Sequence, residues 1–420
     1  MYLVFYVLSY VFETYLDWRQ HKRFQIKKLP SELNNIANQN DFVSAQEYGA
    51  DKSSFHLIEN MFSTGVHIIV LIFNGGPWLW SQSAHILQYY HFSTQNETAQ
   101  ALVFVSLLIV ITQLMNIPWS AYSTFVIEEK HHFNKTTPKT FVLDILKGLF
   151  LSYLIGLPFL ALFIYIIQLG GPNFHIYLWA FTFTFQIFMI TIYPVLIQPL
   201  FNKVEPLEEC TLRSKIEAMA QKTGFPLTKI FKIDGSQRSS HSNAYFYGFG
   251  KNKRIVLYDT LIETLKEEEI IAVLGHELGH YFKNHIYKTL AITQIYLFVL
   301  FYLFGQTLQN NQLIESFGFK LENKSVFISF LVFSMLYSPV DHILSFLMTL
   351  LSRKHEFEAD EFATKLGYGD QLRSGLISIH KENKANLWPD ELYSTYHYSH
   401  PPLIERLKGI QRFQKQHKSQ

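Results

Sequence analysis

The chain contains one cysteine, Cys210. That excludes an internal disulfide framework and any cysteine-rich metal site, so a metal bound here has to be held by histidine and carboxylate. Charge is sparse as well. Asp, Glu, Lys and Arg make up 17% of the 420 residues and the formal net charge is +2, too little for the basic field that nucleic-acid binding needs. Nucleic acid is therefore not an expected partner. No low-complexity tract or solenoid-type repeat is present. The N-terminal run "MYLVFYVLSYVFETYLDWRQHKRF" has neither a charged leader nor a small-residue cleavage site, so it reads as a retained first span.

Apolar residues are what the chain has in plenty: 48% are hydrophobic and 16% aromatic. Beyond the first run, segments long enough to cross a bilayer lie near Ile58 to Trp80, Ala101 to Val126, Phe141 to Leu169, Phe174 to Leu200, His285 to Leu308 and Ser325 to Leu351, for roughly seven spans in all. Basic residues orient them. Arg19, Lys22, Arg23, Lys27, Lys28 and Lys52 follow span one, and Lys130, Lys135 and Lys139 follow span three, whereas the loop after span two has no Lys or Arg. Odd-numbered spans are thus expected to end in the cytoplasm. The chain divides into spans over 1–200, a polar cytoplasmic insert over 201–284, two further spans over 285–351 and a cytoplasmic tail over 352–420. The insert reads as a helix closed by Gly224 followed by the β-prone runs "LTKIFKID", "SNAYFYG" and "KRIVLYD", the last two forming a hairpin.

After the hairpin comes "VLGHELGHYFKNH", from Val273 to His285. On a helix His276 and His280 share a face, so both can grip one ion while Glu277 addresses a water on it. This is the His-Glu-x-x-His zinc-protease arrangement, in which the metal lowers the pKa of a water to about 7 and a carboxylate moves its proton to the leaving amine. Gly275 and Gly279 suggest close approach of another backbone. A catalytic zinc needs a third protein ligand. The segment "SRKHEFEADEFATKLG" offers Glu356, with Asp360 four residues on to orient a ligating histidine; His355 is the alternative ligand. His400 and Arg406, in "YSHPPLIERLKG", are candidates to stabilise an oxyanion or hold a substrate carbonyl, against a reading as surface charge. Asn243 is a candidate to hold substrate backbone along its strand, or to cap a turn. His285 has no assigned role.

With "GHELGHYFKNH", "SRKHEFEAD", "NAYFYG" and "SHPPLIERL" among seven spans, nearly the whole chain resembles the type I CAAX prenyl proteases. The resemblance implies a mainly α fold, a barrel of seven transmembrane helices enclosing a chamber, with a cytoplasmic zinc-metalloprotease domain containing a short β-hairpin. It also implies Zn2+, one per chain, on His276, His280 and Glu356. Glu277 would be the catalytic base, Asp360 the acid behind the ligands, Asn243 the substrate-strand asparagine, and His400 and Arg406 substrate contacts near the scissile bond. The implied substrates are prenylated proteins ending in Cys-aliphatic-aliphatic-X, cut to release the last three residues, with a second upstream cut in some members. Endoplasmic reticulum residence, extending to the inner nuclear membrane, is implied in the same way. Gln113, Asn116 and Gln186 are compatible with lining a chamber or with bonds between helices. Two positions depart from the family pattern: His355 replaces an aromatic and Glu358 a neutral amide. The rival functions are quality-control proteolysis of unprenylated membrane proteins and an inactive membrane scaffold.

Overall fold

The computed structural model describes residues 2–93, 95–248, 250, 252–308, 310–320 and 325–418. Apolar length builds its first half: α1 (Tyr2–Phe24), α2 (Gln39–Ile72), α3 (Gly75–Tyr89), α4 (Glu97–Tyr122), α5 (Pro138–Leu151), α6 (Leu157–Leu169) and α7 (Phe174–Ile192). Wide π-turns at Ser123–Glu128 and Tyr193–Ile197 extend α4 and α7, and another at Ser152–Gly156 joins α5 to α6. Among the described residues six helices are long and apolar enough to cross a bilayer: Gln39–Ile72, Glu97–Glu128, Pro138–Leu169, Gly171–Phe201, His285–Thr307 and the run from Val326. α1, at 23 residues, is a seventh by length only, because Glu13, Asp17 and Arg19 interrupt it.

The span expected over Ile58 to Trp80 is broken. α2 stops at Ile72, and the chain turns at Asn74, whose φ of 53° is left-handed. α3 then runs for 15 residues, about 22 Å at helical rise and short of the roughly 30 Å hydrocarbon core. It folds back on α4, where Gln100 Nε2 donates to the Trp80 carbonyl at 3.0 Å and Trp80 packs with Phe104, Ile164 and Phe327.

The polar insert carries α8 (Gln198–Phe201), β1 (Val204–Pro206), α9 (Thr211–Thr223), β2 (Leu227–Ile233), β3 (Ala244–Tyr247), β4 (Lys253–Tyr258), α10 (Asp259–Thr264) and α11 (Glu267–Phe282). The expected hairpin is β3 with β4, antiparallel; residues 249 and 251 of its link lie outside the described set. β4 also pairs parallel with β2, which pairs antiparallel with β1, giving the order β1-β2-β4-β3. β3 is thus an edge strand. Ile216 and Met219 of α9, Ile230, Ile255 and Leu257 of the sheet, and Ile270, Leu274 and Leu278 of α11 form one buried cluster.

The chain ends with α12 (His285–Thr307), α13 (Asn311–Ser316), α14 (Val326–Ala363), α15 (Gly369–Glu382), α16 (Glu391–His397) and α17 (Leu403–Lys418). α14 is 38 residues long and passes without a break from an apolar half into the polar half that holds Glu356. Two two-pronged arginine clamps fasten the polar units to the spans. Arg19 of α1 grips Asp390 at 3.0 and 2.9 Å, and Arg238 grips Asp144 of α5 at 2.7 and 3.0 Å. Gln186 of α7 accepts from Gln294 of α12 at 2.7 Å, a bond between helices.

Candidate metal centre

α11 begins on three glutamates, which suit the positive end of a helix, and the Lys266 amide donates to Glu269 Oε2 at 3.1 Å. Its apolar stripe faces the sheet, so His276 and His280 are left facing α14. Gly279 makes that contact close: a Cβ there would lie 2.7 Å from Ala359 Cα. At Gly275 a Cβ would meet the Tyr368 ring at 3.5 Å, ordinary contact, so the sequence expectation of close approach holds for one glycine of the pair.

α14 delivers Glu356 to the point the two histidines share. Nε2 of His276 and Nε2 of His280 are 3.2 Å apart, and they lie 3.4 and 3.3 Å from the Glu356 carboxylate oxygens. A tetrahedral centre with bonds of about 2.0–2.1 Å has edges of about 3.3 Å. The two nitrogens match that edge, and each lies at a similar distance from one oxygen of the Glu356 carboxylate, His276 from Oε2 and His280 from Oε1. Oε2 of Glu356 is buried and has no aligned hydrogen-bond donor, although His400 Nδ1 lies at 2.9 Å and His276 Nε2 and Arg406 NH1 at 3.4 Å. Two histidine nitrogens and a glutamate carboxylate brought this close are a donor set able to hold one metal ion. Among the described residues this is the one such cluster. His355 is outside it; its ring is stacked on His285, 3.9 Å away and 10° from parallel.

Asp360 sits one turn beyond Glu356, fully buried, and its Oδ1 accepts from His276 Nδ1 at 2.8 Å. With Nδ1 bonded in this way, Nε2 is left to the metal point. Burial and the Arg406 charge push the His276 imidazolium down, but bonds to Asp360 and Glu356 outweigh them and carry it up to about 9. Glu277 lies beside the cluster on α11, and burial pushes its carboxyl above the usual carboxylate range despite His276 and His280.

Where a substrate contact was expected of Arg406, the structure places it behind the ligands. The residue is 7% exposed, its Nε donates to Asp360 Oδ2 at 2.9 Å, and a terminal nitrogen donates to Oδ1 at 2.6 Å. The cause is α17, which buries Leu403, Leu407 and Ile410 against α15 and so turns Arg406 inward. His400 precedes that helix and is mostly exposed, with Nδ1 on Glu356. Asn243 is exposed at the start of edge strand β3; its carbonyl accepts from the Tyr258 amide at 3.1 Å and its Oδ1 from the Ala244 amide at 2.8 Å. What sequence reading missed is the partner of His280, namely His285 backed by Glu358.

Comparison with known proteins agrees in extent and in kind. Residues 20–203 match the family model described as CAAX prenyl protease N-terminal, five membrane helices, and residues 206–414 match peptidase family M48. The chain is 45% identical to the CAAX prenyl protease 1 homolog of Oryza sativa subsp. japonica over 97% of its length and 96% of that protein. It is 40% identical to the Homo sapiens homolog, covering 99% and 95%. The crystal structure of S. mikatae Ste24p superposes with a TM-score of 0.91 at 38% identity, covering 97% of both chains.

Proposed function

The chain belongs to peptidase family M48, in its CAAX prenyl protease branch, and on that premise we propose that it removes the C-terminal tripeptide from prenylated Cys-aliphatic-aliphatic-X proteins. It is an integral-membrane metalloendopeptidase. The observation that carries the reading is the convergence of His276 and His280 from α11 with Glu356 from α14, whose ligand atoms lie within 4.8 Å of one another.

In this reading zinc is the metal, and when bound it supplies Lewis acidity to the scissile carbonyl and to an attacking water. His276, His280 and Glu356 hold it. Asp360 keeps His276 in the tautomer that presents Nε2, and Arg406 fixes Asp360 through two bonds, so its role is positioning rather than contact. Glu277 takes the proton of the attacking water and returns it to the leaving amine; its desolvated carboxylate is a stronger base than one in water. His400, exposed beside Glu356, is placed to donate to the oxygen that becomes negative as water adds. The substrate backbone adds to the free edge of β3 near Asn243.

We divide the chain into spans over 1–200 and 285–351 with protease segments over 201–284 and 352–420; the first boundary lies close to the end of the first matched region at residue 203. Arg19, Arg23 and Lys52 at the polar end of the spans favour a cytoplasmic active site, and residence in the endoplasmic reticulum membrane fits prenylated substrates. The test compares kcat/KM for a farnesylated peptide with that for its unprenylated twin. A preference of at least tenfold for the lipidated peptide is expected. Equal rates would replace the prenyl substrate with general membrane proteolysis.

A further inference from the structure

His280 has a second contact, on the side away from the metal point. Its Nδ1 lies 2.9 Å from Nδ1 of His285, and Nε2 of His285 lies 2.9 Å from Oε2 of Glu358. When Nε2 of His280 faces the metal, its ring proton is on Nδ1 and has to be donated. His285 Nδ1 then accepts, so the proton of that ring is on Nε2 and goes to Glu358. Among neutral rings this is the one assignment that makes both bonds.

The relay is built to hold its shape. His285 is 3% exposed and cannot swing away, and the His355 ring covers its face at 3.9 Å. The left-handed residue Asn284, with φ of 57°, ends one helix and starts the next so that His285 folds back under His280. Glu358 is on α14, two residues past Glu356, so one helix supplies both a ligand and the far end of the relay. Lys354 lies 3.8 Å from the other Glu358 oxygen, too far to compete for Oε2.

We propose that His285 and Glu358 are positioning residues that aim Nε2 of His280 at the metal and set how tightly the chain keeps it. Each ligating imidazole is then tethered to a carboxylate, His276 directly by Asp360 and His280 through His285. The two departures from the family pattern, His355 and Glu358, belong to this one structure. The inference rests on the metal reading of the site, and its test reads metal rather than substrate.

The full chain, purified in detergent, is titrated with zinc against a chromophoric chelator. His285→Phe keeps the ring volume and the stack on His355 but loses the acceptor. Glu358→Leu removes the anchor, and Glu358→Gln keeps an acceptor for the Nε2 proton. His285→Phe and Glu358→Leu are expected to weaken zinc binding by about 10–100-fold while the unfolding temperature of the metal-free protein stays at the wild-type value. Glu358→Gln is expected to restore most of the loss. At saturating zinc the KM for peptide is expected to be unchanged in all three. Zinc affinities within about twofold of wild type would overturn the proposal. So would a loss that tracks reduced metal-free stability and is not restored by Glu358→Gln. A wild-type chain that binds no zinc would overturn the metal reading, and this proposal with it.

Discussion

Replacing Gly279 by alanine tests the helix contact on which the metal centre depends. The added Cβ would lie 2.7 Å from Ala359 Cα, 3.0 Å from its carbonyl oxygen and 3.1 Å from its Cβ. Carbon atoms pack at about 3.5–4.0 Å, so α11 and α14 have to separate by about 1 Å. The obstacle is backbone, which cannot rotate aside. Overpacking of this kind costs about 1–3 kcal/mol, and replacing a helical glycine returns at most about 1 kcal/mol. Net destabilisation is therefore modest, about 0–2 kcal/mol. The larger effect is local: Glu356 is three residues from Ala359, so the same movement pulls it away from both histidines, and an error of 1 Å costs about 100-fold in rate. Gly275→Ala is the internal control, because its Cβ meets the Tyr368 ring at 3.5 Å and Ala363 Cβ at 3.7 Å. Zinc affinity, peptide cleavage and thermal unfolding are measured on both variants. Gly279→Ala is expected to lose zinc affinity and about 100-fold in rate with a small fall in unfolding temperature, while Gly275→Ala keeps activity and is equally or more stable. Indistinguishable variants would refute the argument that helix spacing sets the metal geometry.

Other outcomes follow from the same contacts. Glu277→Gln is expected to lower kcat by about 100- to 10,000-fold with zinc content unchanged by metal analysis. Arg406→Met removes the cation that makes two of the bonds to the buried Asp360 carboxylate, leaving His276 as its remaining side-chain partner, and is expected to cost about 3–5 kcal/mol in denaturant unfolding; Arg406→Lys will not restore it fully, since an ammonium cannot make the paired bonds. Asn284→Val places a β-branched residue at positive φ and is expected to destabilise by about 1–2 kcal/mol, whereas Asn284→Gly is tolerated. Removing the metal with a chelator is expected to abolish cleavage, and stoichiometric zinc to restore it.

The metal-site candidates could be read from sequence because their signals are local. His276 and His280 are one turn apart on a helix of clear periodicity, and Glu356 and Asp360 repeat that spacing on another. The β3–β4 hairpin was visible in its alternation for the same reason. The break at Asn74 was also written in the chain, as "NGG", but the apolar run on either side masked it. The pairing of β2 with β4 was not legible, since parallel neighbours are chosen by the packing of α9 and α11 across the sheet. The inward turn of Arg406 depends on which face α17 buries, a decision of the assembled core. His285 was hidden by its spacing: five residues after His280 is no helical neighbour, and only the left-handed turn at Asn284 brings the rings together.

The central claim is that this site cuts the bond after a prenylated cysteine, and mass analysis of the products tests it most directly. Wild-type and Glu277→Gln protein, each loaded with one zinc, are incubated with a farnesylated peptide ending in Cys-aliphatic-aliphatic-X. The account predicts an intact C-terminal tripeptide and a farnesylcysteine with a free carboxylate from the wild type, and neither from Glu277→Gln. Cleavage at another bond, or equal product from the Glu277→Gln protein, would contradict it.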